Sequence, residues 1–150
     1  MLNNKLFATI IRHTPLISID FIVKNSDNQI LLGKRLNEPA RGFWFVPGGR
    51  IYKNERLTNA FKRLSSQELG TVITQDKATF LGVFDHFYDN NVYNQDFSTH
   101  YIVLAHQIYS DILPNNTTQH DRFQWFDVEQ FLQDNTVHPY TKHYFTKDLV

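Results

Sequence analysis

FWFVPGGRIYKNERLTNAFKRLSSQELG, residues 43–70, decides how the rest of the chain is read. An apolar strand runs into Pro47-Gly48-Gly49, which predicts a turn where the backbone comes close to a ligand. Beyond it Leu57, Ala60, Phe61 and Leu64 recur at i, i+3, i+4 and i+7. That spacing predicts a helix over roughly 55–68, with Gly70 as its C-terminal stop. Glu68 falls on the same face, where an apolar residue is expected. A carboxylate leaning inward is expensive unless a cation or strong donors satisfy it. A glycine turn and a helical carboxylate therefore converge on what reads as a metal-bound anion.

To either side of this stretch the pattern alternates between strands and short helices. Residues 4–12 predict a helix with Leu6, Phe7, Ile10 and Ile11 on one side. Residues 15–25 and 29–37 predict strands joined by a hairpin at Ser26-Asp27-Asn28. Residues 42–46 read as a short buried strand. A long strand pair is expected at 78–89 and 97–110 around a polar loop, 90–96, with a second polar loop at 111–121. A strand at 122–126 and a helix at 127–134 follow, and PYTKHYFTKDLV (139–150) is expected to be helical with little signal for function. Mixed strands with few helices predict an α/β sandwich, a central mixed sheet flanked by helices. At 150 residues, with no repeat or linker, the expectation is a single domain over 1–150.

Bulk properties exclude several classes. Apolar residues make up 41% of the chain and aromatics 15%, which supports a packed core rather than disorder. Lysine plus arginine equals aspartate plus glutamate, so there is no basic excess for a nucleic-acid or membrane-surface binder. The absence of cysteine removes disulfides, thiolate catalysis and cysteine metal sites. No apolar run approaches the ~20 residues of a membrane span. The N-terminus also lacks a secretory pattern, so the expectation is a cytoplasmic enzyme.

Residue chemistry marks further candidates. Arg35 ends a predicted strand and Arg50 follows the glycines, so both are placed to meet an anion through paired hydrogen bonds. Arg63 is better suited to orienting Glu55. His120 lies in a polar loop between Gln119 and Asp121; histidine is the side chain most readily poised as a base near neutral pH, although a loop histidine is more often simply solvated. His86 and Tyr88 share one strand face, as do Thr99 and Tyr101, either as sugar-hydroxyl partners or in ordinary cross-strand pairing.

Gly49, Glu55, Arg63, Glu68 and Gly70 match, at the right spacing, the signature box of the Nudix hydrolases, which cleave nucleoside diphosphates linked to another group. The chain resembles that family, whose fold is the same three-layer sandwich. Leu64 and Gln67 stand where the family usually has glutamates, and Ser65 replaces an apolar residue. The runs TPLISIDFIV, LLGKR, GFWFVPGGR, RLSSQELG, GVFDHFYD, DFSTHYIVL and QHDRFQW, spread over roughly residues 7–126, narrow the resemblance. They are similar to a branch that lacks the same two glutamates and hydrolyses GDP-mannose.

That resemblance implies attack of water at sugar carbon 1, with inversion, giving GDP and free hexose. It implies one Mg²⁺ per subunit, with Mn²⁺ as a substitute, held by Glu68, Gln119 and the Gly48 carbonyl. His120 would be the base. Arg35, Arg50 and Tyr101 would bind the diphosphate, and Asp20, His86 and more weakly Tyr88 would contact or orient the sugar side. A homodimer is implied by similarity alone. GDP-glucose is an alternative substrate. Two rival readings are an ordinary Nudix pyrophosphohydrolase giving GMP and hexose 1-phosphate, and a nucleotide-sugar-binding module without turnover.

Overall fold

The computed structural model describes residues 2–115 and 120–146, with the backbone alone for 120 and 121. Helix α1 (Asn4–His13) is started by Asn3, whose side chain accepts from the Leu6 amide at 2.8 Å. Strands β1 (Leu16–Lys24) and β2 (Ile30–Arg35) flank the predicted hairpin, which closes through Asn25 and a left-handed Asn28. Then come β3 (Trp44–Phe45), β4 (Gly48–Arg50) and α2 (Leu57–Leu69). The long pair β5 (Thr79–Tyr88) and β6 (Thr99–Tyr109) precedes β7 (His120–Phe126), α3 (Val128–Phe131) and α4 (Pro139–His143).

Among the described residues seven strands form one sheet along the order β3-β2-β1-β6-β5, with β4 pairing β1 and β7 pairing β2. Strands β1 and β6 are parallel and the other pairings antiparallel, so the sheet is mixed, as predicted. Alternation along β1 sends Ile19, Phe21 and Val23 to one face, against Ala60, Phe61, Leu64 and Leu69 of α2. Phe21 and Phe61 meet edge to face, 5.0 Å between ring centroids. On the other face Ile22, Ile30, Leu32 and Ala105 pack with Phe131, Val137 and Tyr144 from the C-terminal segment. Helices thus cover both faces of a central sheet.

Several boundaries differ from expectation. Helix α2 begins at Leu57, leaving Glu55 outside it, and Leu57 itself is exposed because it precedes the first turn that meets the sheet. Gly70 ends α2 in the left-handed conformation, as expected. Helix α3 is one turn rather than the whole of 127–134. Residues 120 and 121, expected in a loop, belong to β7. Ser65 is fully buried, where an apolar residue was expected; its oxygen accepts from the Ile73 amide at 2.8 Å and ties α2 to the chain leaving it.

The largest correction concerns the glycines. Gly48-Gly49-Arg50 is not a turn but strand β4, in register with β1 at Asp20, Ile19 and Ser18. The close approach these glycines permit is to the protein's own chain. A Cβ on Gly48 would sit 2.5 Å from Asp20 Oδ1, and one on Gly49 would sit 2.5 Å from Leu64 Cδ2. Gly49→Ala is therefore expected to cost about 1–3 kcal/mol, the usual scale of overpacking. In a Leu64→Ala background, itself less stable, the same change should cost less, and urea unfolding of the single and double variants measures the difference.

Candidate functional site

A cleft of about 290 Å³ opens where β1, β4, β5, β6 and the C-terminal part of α2 converge. Asp20, Arg35, Gly48, Arg50, Glu68, His86, Tyr88 and Tyr101 all line it. Of the ten residues singled out from sequence as site residues, these eight share one cavity. Gln119 lies outside the described residues, as does the side chain of His120; the backbone places His120 opposite Arg35 in the β2–β7 pairing.

One wall is built around Arg63. Its guanidinium grips Glu55 at 2.7 and 2.9 Å, donates to the Arg50 carbonyl at 2.8 Å and to Gln67 Oε1 at 3.1 Å, and lies 3.8 Å over the Tyr52 ring. Hydrogen bonding from Arg63 holds the Glu55 carboxyl below its ordinary range. Glu55 also accepts from the Tyr52 amide. Arg63 and Glu55 thus form a structural clamp, as expected. The two departures from the box are absorbed by the same architecture: Leu64 is buried beneath Gly49, and the Gln67 amide is engaged by Arg63.

Glu68 is 4% exposed, an inward carboxylate at the end of this wall. The Gly48 carbonyl is presented by strand pairing. Phe21 donates to the Pro47 carbonyl and Ile51 to the Ile17 carbonyl, each at 2.8 Å, so Gly48 faces Asp20 in a non-hydrogen-bonded pair and turns its carbonyl away from β1. The Arg50 carbonyl points to the same edge, where Arg63 meets it. A carboxylate and a carbonyl are hard oxygen donors of the kind a divalent cation such as Mg²⁺ takes. Among the described residues no group of three His, Asp or Glu side chains could by itself hold a metal, so this donor set is sparse.

Two arginines line the cleft. Arg50 lies over Phe7 of α1 at 4.5 Å and over Tyr52 at 4.9 Å. Arg35 donates through Nε to the Pro39 carbonyl at 3.3 Å. The Tyr101 hydroxyl is pushed upward by burial, with both arginines opposing that shift. The arrangement can receive a compact polyanion.

A buried, aromatic cluster adjoins them, close enough for Arg35 to act on Asp20 and His138. Asp20 Oδ2 accepts from the Tyr144 hydroxyl at 2.6 Å, and Tyr144 also lies 3.4 Å from His86 Nε2. His86 stacks face to face on Tyr140 at 4.2 Å. Burial pushes Asp20 up to about 7, against the pull of Tyr144 and Arg35. Burial, helped by His138 and His143, pushes His86 down to about 3, so its ring is neutral in working conditions. Tyr88 is driven upward by burial. The sequence pattern gave no sign of Tyr140 or Tyr144; an alternating strand announces its faces, whereas a five-residue terminal helix does not.

The titration of Asp20 has a definite sign. Its pKa is raised from 3.8 to about 7, so the native state holds a proton that the unfolded chain has lost. Stability from this group is present below about pH 4 and is lost as pH rises through 7. His86 and His138, lowered to about 3 and about 4, act oppositely, losing stability as pH falls below 6.5. Asp20→Asn removes the first effect alone. Relative to the native sequence it should be close to neutral at pH 4 and stabilising at pH 8, by up to about 4 kcal/mol. Urea unfolding at both pH values, with chelator present, checks this.

The NUDIX domain family model matches residues 14–147. The low-salt glycan biosynthesis protein Agl8 of Haloferax volcanii is 38% identical over 139 residues, covering 92% of this chain and 85% of that protein. The MutT NUDIX hydrolase of Burkholderia pseudomallei superposes with a TM-score of 0.71 at 24% identity, covering 92% of this chain and 99% of that one. The NUDIX domain of Shewanella oneidensis NrtR, solved with ADP ribose, superposes with a TM-score of 0.64 at 15% identity, covering 99% and 100%.

Proposed function

The chain belongs to the Nudix hydrolase family, and we propose that within it this protein hydrolyses GDP-mannose at carbon 1 of the sugar, releasing GDP and free mannose. The observation that carries this reading is the fate of the two missing box glutamates. Leu64 is committed to the core and Gln67 to Arg63, so the buried carboxylate of the box helix is Glu68. A carboxylate-rich, multi-metal attack on phosphorus lacks its ligands here, whereas stabilising a leaving diphosphate requires far fewer. A relative named for glycan biosynthesis agrees with a nucleotide-sugar substrate.

In this reading Glu68, the Gly48 carbonyl and Gln119 hold one Mg²⁺, with Mn²⁺ as a substitute. The ion, when bound, supplies charge neutralisation on the diphosphate. Arg35, Arg50 and Tyr101 hydrogen-bond the phosphate oxygens as negative charge grows on them. Asp20 and His86, beside Tyr88, orient the hexose. His120, at the start of β7 opposite Arg35, takes a proton from water on the face of the sugar away from the diphosphate. The water oxygen bonds to carbon 1 while the bond from carbon 1 to the phosphoryl oxygen breaks, its electron pair leaving on GDP, so the configuration inverts. The working unit is proposed to be a cytoplasmic homodimer of single-domain chains. No helix among the described residues is long and apolar enough to cross a membrane.

Hydrolysis in ¹⁸O-water tests the bond cleaved. Label is expected in the hexose; label in a phosphate, with GMP and hexose 1-phosphate as products, would establish the pyrophosphohydrolase reading instead. Undiminished binding with no GDP release at saturating Mg²⁺ would mark a binding module. His120→Gln should lower kcat by ~10²–10⁴ with little change in substrate binding, the usual worth of a general base. Steady-state rates near those of the native protein would remove His120 from that role.

A further inference from the structure

Tyr144 stands behind the cleft rather than in it: Asp20 and His86 line the cavity, and Tyr144 does not. All three side chains are buried, at 8% exposure for Tyr144, 7% for Asp20 and 3% for His86, and they come from α4's end, β1 and β5. The Tyr144 ring is fixed edge to face on Phe84, 4.9 Å between centroids, so its hydroxyl is delivered to one place.

A phenol has one proton to give. At 2.6 Å from Asp20 Oδ2 and 3.4 Å from His86 Nε2, that proton goes to the carboxylate. The Tyr144 oxygen can then only accept from His86, which requires the His86 proton to sit on Nε2. The direction of the chain is thereby set: His86 Nε2–H to Tyr144, and Tyr144 O–H to Asp20. It leaves Asp20 Oδ1, packed against Gly48, and His86 Nδ1 as acceptors. Both residues line the cleft, and acceptors there suit a ligand that offers hydroxyl donors, which a hexose does and a diphosphate does not.

We propose that Tyr144 is a positioning residue for the sugar half of the substrate: it orients Asp20 and His86 as paired acceptors for hexose hydroxyls without touching the substrate itself. This rests on the nucleotide-sugar reading of the same cleft and adds to it a residue from the C-terminal helix. The selectivity of the effect separates positioning from plain structural support. In that reading Arg35 and Arg50 hold the diphosphate, whereas the bonds of the Tyr144 hydroxyl go to Asp20 and His86.

The test is Tyr144→Phe, which keeps the ring on Phe84 and removes only the hydroxyl. At pH 8 with Mg²⁺, KM for GDP-mannose should rise about tenfold or more, the scale of a hydrogen bond to a charged group. The inhibition constant of GDP, which has no sugar, should stay within about twofold. In an Asp20→Ala background, where the acceptor of the Tyr144 hydroxyl is gone, the same change should add less than about twofold, because both variants act through one interaction. An unchanged KM, or equal weakening of GDP and GDP-mannose, overturns the proposal. If the variant fails to fold, ¹⁵N shifts of His86 in the unaltered protein decide: the Nε2–H tautomer is expected, and Nδ1–H overturns it. Failure of the nucleotide-sugar reading shows separately, as absence of GDP and free hexose from the unaltered enzyme.

Discussion

The guanidinium of Arg63 ties three pieces of chain together around one wall of the cleft. It grips Glu55 before α2, the carbonyl of Arg50 at the end of β4 and Gln67 one turn along α2, and it lies flat on Tyr52. Arginine suits this position because its donors are spread in a plane and it remains charged throughout. Because Arg63 is half-buried, its bonds to Glu55 are less screened than those of a surface pair. The clamp fixes β4 against α2, and with it the edge on which the Gly48 carbonyl and Glu68 are presented. The glycines complete the same constraint: only residues without Cβ allow β4 to lie against Asp20 on one side and Leu64 on the other.

That constraint explains what the sequence could and could not reveal. The strands were legible because alternation is a period-two signal, and β1, β5 and β6 are long enough to show it. Glu68 was legible because a carboxylate interrupting an apolar helical face is a costly exception. The role of the glycines was misread, since sequence says that backbone comes close to something without saying to what. Leu57 was placed on the buried face because spacing carries no information about where the neighbouring sheet ends. Tyr144 was invisible, because its partner Asp20 lies 124 positions away and no local pattern records such a contact.

The cleft lining combines two kinds of group, which in the proposed reading suit the two halves of a sugar nucleotide. Arg35 and Arg50 provide fixed positive charge, while burial keeps His86 neutral and Asp20 close to its titration point. A pair of carboxylates on α2 would have placed negative charge beside the arginines, to be balanced by further cations. Leu64 and Gln67 place none there. In the proposed reaction the electrostatics thus favour building up negative charge on a departing diphosphate, which is what breaking the bond on its sugar side requires. For the hexose of the proposed substrate, a neutral imidazole and a carboxyl near its titration point cost less to desolvate around hydroxyl groups than a fully charged pair would. In the proposed reading each substitution in the box therefore acts twice: it removes a ligand for attack on phosphorus, and it lowers the negative charge that a leaving GDP would otherwise meet.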